Sequence, residues 1–326
     1  MRALMPRIEV RPYRLLLLRP LRTAHGVRET REGFWVFAHA DGRIGRGDAA
    51  PLPELGTESL AECLAQLQAA GFDALPRTPA ARCAVEQAFL DLEAQRAGIP
   101  LARLLDPGAP LEVPASALLS ADGIPELARE AQRAVADGFG TLKLKVGLDD
   151  DYARAAVVRD AAGPEVRLRL DANGAWDAPT ALRKLRELAA LDIELCEQPT
   201  QDLRGLESAP VPIAADEMVA ADPDAALERA RVLVLKPILL GGVSRALELA
   251  RRAHSRGLRV VVTSGLESAV GRAGAAHLAA AVLALGTQPA AGIATGRLVA
   301  EDVRADPFEP RNGVVYIPDV AGLGLP

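Results

Sequence analysis

From about residue 112 the chain alternates short runs rich in leucine or β-branched residues with amphipathic stretches of helical period, and this alternation limits the possible folds most sharply. The runs lie at 114–119, 141–146, 166–171, 193–197, 211–216, 231–236, 258–264 and 290–294. Between most of them sit helical windows with stop signals, such as 124–137 before Gly138 and 243–256 before Gly257. Parallel strands joined by crossover helices account for the pattern, and eight of them in roughly 190 residues predict an α/β chain built on a TIM-type (β/α)8 barrel. One crossover, after the fourth run, is too short for a full helix.

The residues before the barrel read as a mixed α+β unit. Runs at 33–40 and 43–49 flank Asp41-Gly42, a pair suited to a tight hairpin turn in which both central residues take positive φ. Two helices follow. The first begins at the capping box Ser59-Leu60-Ala61-Glu62; the second enters at Thr78-Pro79, carries Val85, Phe89 and Leu92 on one stripe, and stops before Gly98. The expected organisation is an α+β capping domain at 1–105, a catalytic barrel at 106–296 and a Gly- and Pro-rich tail at 297–326 that packs back on the capping domain.

Five consecutive runs stop on a charged residue. They are "LKLK" on Lys145, "VRLRLD" on Asp171, "IELCE" on Glu197, "VPIAAD" on Asp216 and "VLVLK" on Lys236. Each alone has a plainer reading, as a solvated strand face, an Asx turn, a helix cap or a loop residue. In a barrel, however, the carboxyl ends of the strands form one mouth, so the five side chains are expected to converge there. Asp171, Glu197 and Asp216 offer hard oxygen ligands without nearby Cys or His, a set that suits Mg²⁺. Lys145, crowded by Lys143 and a metal ion, would have its charged form disfavoured and could act as a general base on carbon. By the same alternation Arg167 and Arg169 also point inward, and their partners are not evident from sequence.

Composition narrows the partners. A net charge of −5, with no basic run, argues against nucleic acid and for small-molecule partners. The strand-end chemistry points to a small-molecule carboxylate substrate, bound through the metal. Cys63, Cys83 and Cys196 are odd in number and form no C-x-x-C motif, as expected of a reduced, cytoplasmic chain. The apolar run at 15–18 is too short for a signal peptide, and no window reaches bilayer length, so neither a targeting segment nor a membrane partner is expected.

In this order, "LKLKVG", "RLRLDANGAW", "CEQP", "ADE", "LKP" and "SGLESAVG" resemble the motifs of the enolase superfamily, in its muconate-lactonizing subgroup. The segment "GRGDAAPLPELGTESL" extends the likeness to that family's N-terminal capping domain, which closes over a modified barrel. The resemblance implies that Asp171, Glu197 and Asp216 bind Mg²⁺, that Lys145 is the acid/base on one face of the substrate, and that Lys236 stands on the other. It also makes Lys143 a neighbour that tunes Lys145, and Asn173 a supporting or substrate-contacting group. Ser264, with the backbone of Gly265 and Leu266, matches the seventh-strand segment that touches substrate, and Glu267 fits the subgroup pattern. The capping loop is matched by 22–27, where His25 reads as an ordinary loop residue.

Several reactions share these residues within the subgroup. Dipeptide epimerases carry an Asp-x-Asp pair at the eighth strand for the substrate ammonium, whereas "AAGIATGRL" supplies no acid. "SGLESAVG" with "GIATGRLVAEDV" most resembles the o-succinylbenzoate synthases, which dehydrate a cyclohexadiene carboxylate in menaquinone biosynthesis. The nearest alternative is an N-acylamino acid racemase or related epimerase using Lys145 and Lys236 as two bases. A non-catalytic barrel homologue fits less well with five intact charged strand ends.

Overall fold

The computed structural model describes residues 7–23, 26–71, 74–300, 302 and 306–326; His25 lies outside these. Strands β1 (Arg7–Thr23), β2 (Gly26–Ala40) and β3 (Arg43–Ala49) form an antiparallel sheet in the order β1-β2-β3. The turn between β2 and β3 is the expected one, with Asp41 and Gly42 at φ 51° and 71°. Helices α1 (Leu60–Gln68), α2 (Pro79–Ala97) and α3 (Leu101–Leu105) follow. The capping box at Ser59 and Glu62 is present in both directions. Thr78 does not cap α2 itself. Glu58 does so from upstream, its carboxylate accepting from the Ala80 and Ala81 amides and from the Thr78 hydroxyl. The sheet rests on α2 so closely that a Cβ at Gly47 would overlap the Ala84 carbonyl, which only glycine allows.

The remaining elements are β4 (Glu112–Pro114), β5 (Ala117–Leu119), α4 (Ile124–Ala136), β6 (Thr141–Lys145), α5 (Asp151–Ala162), β7 (Arg167–Asp171), α6 (Ala178–Leu188), β8 (Ile193–Glu197) and β9 (Ile213–Ala215). Then come α7 (Glu217–Ala221), α8 (Pro223–Arg229), β10 (Val232–Leu235), α9 (Pro237–Leu240), α10 (Val243–Ser255), β11 (Arg259–Val262), α11 (Ala269–Leu283) and β12 (Val314–Tyr316). Strands β5 to β11 make one parallel sheet in sequence order. The expected eighth strand is reduced to two bridges, Ala291 to Ala115 and Gly292 to Thr263, and these close the sheet into a barrel. No helix separates β8 from β9, as the short crossover implied.

The run expected as a first strand, 114–119, is split. Pro114 has no N–H to give a ladder, and at this point the chain changes partners: β4 pairs antiparallel with β12, whereas Ser116 donates to Ala291 of the barrel. The tail touches both halves of the molecule. Beyond β12, Gly322 exchanges hydrogen bonds with Ile99 and Leu101, and Leu323 donates to the buried carboxylate of Asp91.

Apolar side chains fill two separate layers around the barrel wall. Between strands and outer helices lies the main core, including Leu142, Leu144, Leu168, Leu170, Leu233 and Leu235. Inside the barrel a small cluster of Leu195, Ala214, Val232, Val234 and Val261 fills one side. The other side holds Lys143 and Arg169. Arg169, 1% exposed, donates to Glu194 at 2.6 Å and to the Ala290 carbonyl at 2.7 Å. Glu194 is available because the β7–β8 register slips between Leu168 and Arg169. Arg167 is not enclosed; its side chain is 64% exposed at the opposite end of the strand. Among the described residues no helix is long and apolar enough to cross a membrane.

His277 on α11 ties α3 to the tail. Its Nδ1 accepts from the Ala102 amide at 2.9 Å and its Nε2 donates to the Leu323 carbonyl at 3.2 Å. Burial holds its pKa down at about 4. The ring is neutral when folded but takes a proton in the unfolded chain, so its contribution is complete above an unfolded pKa of about 6.5 and is lost as pH falls toward 4. Urea unfolding from pH 7 to 4.5 is therefore expected to show a pH dependence roughly 2–3 kcal/mol smaller in His277→Asn, which keeps the acceptor, than in wild type. Equal slopes for the two proteins would contradict this assignment.

Candidate active site

Successive side chains on a strand face opposite ways, so residues two apart share a face. Arg169 and Asp171, Leu195 and Glu197, Ala214 and Asp216, and Val234 and Lys236 are such pairs, each with the interior residue first and the strand-end residue second. The charged strand ends therefore gather at one mouth. Asp171, Glu197 and Asp216 are 8%, 1% and 4% exposed.

Lys143 links the first two acids. Its Nζ lies 2.9 Å from Asp171 Oδ2 and 2.5 Å from Glu197 Oε2, one turn of the pleat below Lys145. Lys236 donates to Asp216 Oδ1 on the adjacent side. Burial alone would lower the pKa of Lys143, but the charges of Asp171, Glu197 and Asp216 outweigh it and hold the amine protonated. Lys236 is likewise raised against burial, by Asp216 and Glu217. Lys145 goes the other way: burial and the neighbouring Lys143 charge lower it in spite of Asp171. Burial also pushes Glu197 up to about 7, with Asp171 and Asp216 adding to the effect and Lys143 opposing it. For Asp171 the three lysines, Lys143 foremost, overcome burial and lower the pKa.

As the side chains stand, the described residues contain no group of three or more His, Cys, Asp or Glu poised to hold a metal ion. In this arrangement Lys143 and Lys236 share the three carboxylates. A cluster of buried acids needs counter-charge, and here the lysines supply it.

The supporting residues are also placed. Asn173, at φ 45°, donates its backbone N–H to Asp171 Oδ1 and its amide to Glu217. The Ser264 hydroxyl pairs with Thr295 at 2.6 Å. The Gly265 N–H is taken by Glu267 at 2.6 Å, which helps hold Leu266 at φ 64°, a conformation unfavourable for a side chain of its size. Gln198, not singled out from sequence, bridges two strand ends. Its Oε1 accepts from the Asp216 and Met218 amides and its Nε2 donates to the Thr200 and Gln201 carbonyls. Only the proximity of β8 and β9 makes that role visible.

The capping unit grips the same end of the barrel. Ile238 and Leu239, just after Lys236, are buried in the core of the capping unit with Val36, Ala84 and Val85. Asp48 at the end of β3 accepts from both the amide and the hydroxyl of Ser268, at 2.8 and 2.5 Å, and from Tyr13 at 2.7 Å. Ser268 opens α11 and follows the 264–267 segment.

A closed parallel barrel whose mouth carries buried carboxylates and lysines, capped by an antiparallel sheet, defines the class. A family profile described as "Enolase C-terminal domain-like" matches residues 126–326. The chain is 44% identical over 221 residues to an o-succinylbenzoate synthase of Thermobifida fusca, covering 63% of this chain and 66%, just under two thirds, of that relative. It is 34% identical over 311 residues to the L-Ala-D/L-Glu epimerase of Bacillus subtilis, covering 84% of each. The structure of a dipeptide epimerase from Enterococcus faecalis V583, complexed with Mg and the dipeptide L-Leu-L-Tyr, superposes with a TM-score of 0.89 at 28% identity, over 98% of this chain and 99% of that one. The chain belongs to the enolase superfamily and has the fold of its muconate-lactonizing members.

The role given to Gln198 can be tested on stability. Gln198→Met keeps the volume but strips partners from two buried amides and two carbonyls, and is expected to cost roughly 2–4 kcal/mol in urea unfolding. A change below about 0.5 kcal/mol, the usual effect of an unimportant substitution, would show that the bridge is dispensable.

Proposed function

We propose that the protein is an o-succinylbenzoate synthase, a hydro-lyase converting 2-succinyl-6-hydroxy-2,4-cyclohexadiene-1-carboxylate to o-succinylbenzoate and water in menaquinone biosynthesis. The observation that carries this reading is the end of the eighth strand. Where a dipeptide's ammonium group would need an acid, residues 291–298 offer none: Thr295 pairs with Ser264, and Arg297 with Asp137 and Glu309. Of the next acids along the chain, Glu301 lies outside the described residues, and Asp302 accepts from the Ala269 amide and pairs with Arg272 at the start of α11. The 44% identity to the Thermobifida synthase supports the same choice.

In this mechanism Lys145, its pKa lowered, removes the proton α to the substrate carboxylate. The C–H electron pair moves onto the carboxylate as an enediolate. Lys236, kept cationic, balances that charge from the other side. The Lys145 ammonium then protonates the departing hydroxyl on the same face, the C–O bond breaks, and the ring becomes aromatic. Asp171, Glu197 and Asp216 fit Mg²⁺ by donor chemistry, being hard, buried oxygens in need of positive charge. These three residues would hold the ion, which would supply Lewis-acid stabilisation of the substrate carboxylate.

A second reading has its own support. The likeness to the Bacillus epimerase runs through 84% of the chain, and an epimerase or N-acylamino acid racemase would use Lys145 and Lys236 as alternating bases. Assay of the purified protein with Mg²⁺ on the cyclohexadiene substrate, beside N-acylamino acids and dipeptides, separates the two. Dehydration is expected to fall at least roughly 10²–10⁴-fold in Lys145→Ala, the usual range for a lost acid/base, and to stop on chelation with EDTA. Racemisation without dehydration would transfer the assignment to the second reading.

A further inference from the structure

Glu217 is the fourth carboxylate at the barrel mouth, and beyond helping Asp216 keep Lys236 charged it takes part in no step of the mechanism above. It opens α7, a helix of only five residues, directly after Asp216. A carboxylate serving only that helix would direct its oxygens to the first amides of the turn. Glu217 Oε1 instead accepts from Asn173 Nδ2 at 2.9 Å, across the gap between the β9 and β7 ends. The other oxygen, Oε2, is buried without a hydrogen-bond partner, as is Asn173 Oδ1. The pair is thus not arranged for its own stability.

What the pair holds is the loop after Asp171. Asn173 sits in the left-handed region at φ 45°, followed by Gly174 at φ 71°, whose amide donates to the Gln198 carbonyl at 2.6 Å. In that conformation the Asn173 N–H points back to Asp171 Oδ1, 3.2 Å away, while the other Asp171 oxygen faces Lys143. A continuous chain of contacts therefore runs from Glu217 through Asn173 to Asp171. We infer that Glu217 is a positioning residue for Asp171, acting through Asn173 to set the direction in which the carboxylate presents its oxygens. The inference rests on the proposed role of Asp171 as a ligand of a divalent ion.

Mn²⁺ binding to the full-length protein, followed by the loss of the free-ion electron paramagnetic resonance signal, tests it without reference to turnover. Glu217→Ala is expected to weaken Mn²⁺ binding about 10–100-fold, the usual effect of removing support from a metal ligand. Glu217→Gln retains an acceptor for Asn173 and should stay within about threefold of wild type, while Asn173→Gly, which suits the positive φ, should match Glu217→Ala. The double variant should be no weaker than the weaker single one, because both break the same chain. Circular dichroism establishes that each variant is folded. Unchanged binding in Glu217→Ala would overturn the inference, and so would Glu217→Gln as weak as Glu217→Ala, which would assign the effect to charge alone. Absence of Mn²⁺ binding in wild type is a different result: it would remove the metal reading of Asp171 and the inference with it.

Discussion

The barrel mouth depends on mutual neutralisation of charges that water barely reaches. Asp171, Glu197, Asp216 and Glu217 face Lys143, Lys145 and Lys236, and most of these groups are nearly or wholly buried. Isolated in a protein interior, any one of them would lose its charge or destabilise the fold. Together they remain, because strand register sets an ammonium beside each of the three strand-end carboxylates. Lys143 exemplifies this. It pairs in register with Arg169, two residues below the level of the acids, and its four-carbon stem lifts the amine to touch Asp171 and Glu197 together.

Keeping that register needs support from outside the barrel, and the capping unit provides it through three buried acids. Glu58 caps α2; Glu86 on α2 accepts from the Ser244 amide at the start of α10; Asp48 holds Ser268 at the start of α11. Each acid meets the amino end of a helix, where orphan N–H groups and the helix dipole favour negative charge. Of the helices so anchored, α10 and α11 follow the sixth and seventh strands, and those strands lead into Lys236 and Thr263. The cap therefore fixes the side of the mouth that carries Lys236 and the 264–267 segment, while β6, β7 and β8 fix the side that carries Lys145 and the acids.

The readable parts of this design were those that repeat. Period-two alternation and helix stop signals located all seven sheet strands and the inward facing of Asp171, Glu197, Asp216 and Lys236, because local backbone geometry decides them. The hairpin at Asp41-Gly42 and the box at Ser59 were equally local. What escaped depended on contacts between distant segments. The partner of Arg169 required a register slip on β8 that no residue type signals. The Gln198 bridge and the Glu217–Asn173 pair exist only once β7, β8 and β9 lie side by side. The eighth strand is shorter than its apolar run and the first is broken, because strand length there is set by the partner: β12 draws 112–114 out of the barrel, a competition invisible in a run of apolar residues.

The environments of the two facing lysines bear on how such a mouth can divide its chemistry. An amine works as a base only when deprotonation is cheap, and as an electrostatic partner only when it is not. Lys145 is disfavoured as a cation first by burial and then by its neighbour Lys143, whose own charge is fixed by two carboxylates, so adding a proton to Lys145 means adding charge beside charge in a half-dry site. Lys236 bonds directly to Asp216 with Glu217 near, so losing its proton would leave buried negative charge uncompensated. An amine that takes up a proton and one that keeps its charge call for unlike surroundings of this kind. The asymmetry is built into the strands: β6 brings a second lysine two residues earlier, and β10, with Val234 at the equivalent place, does not.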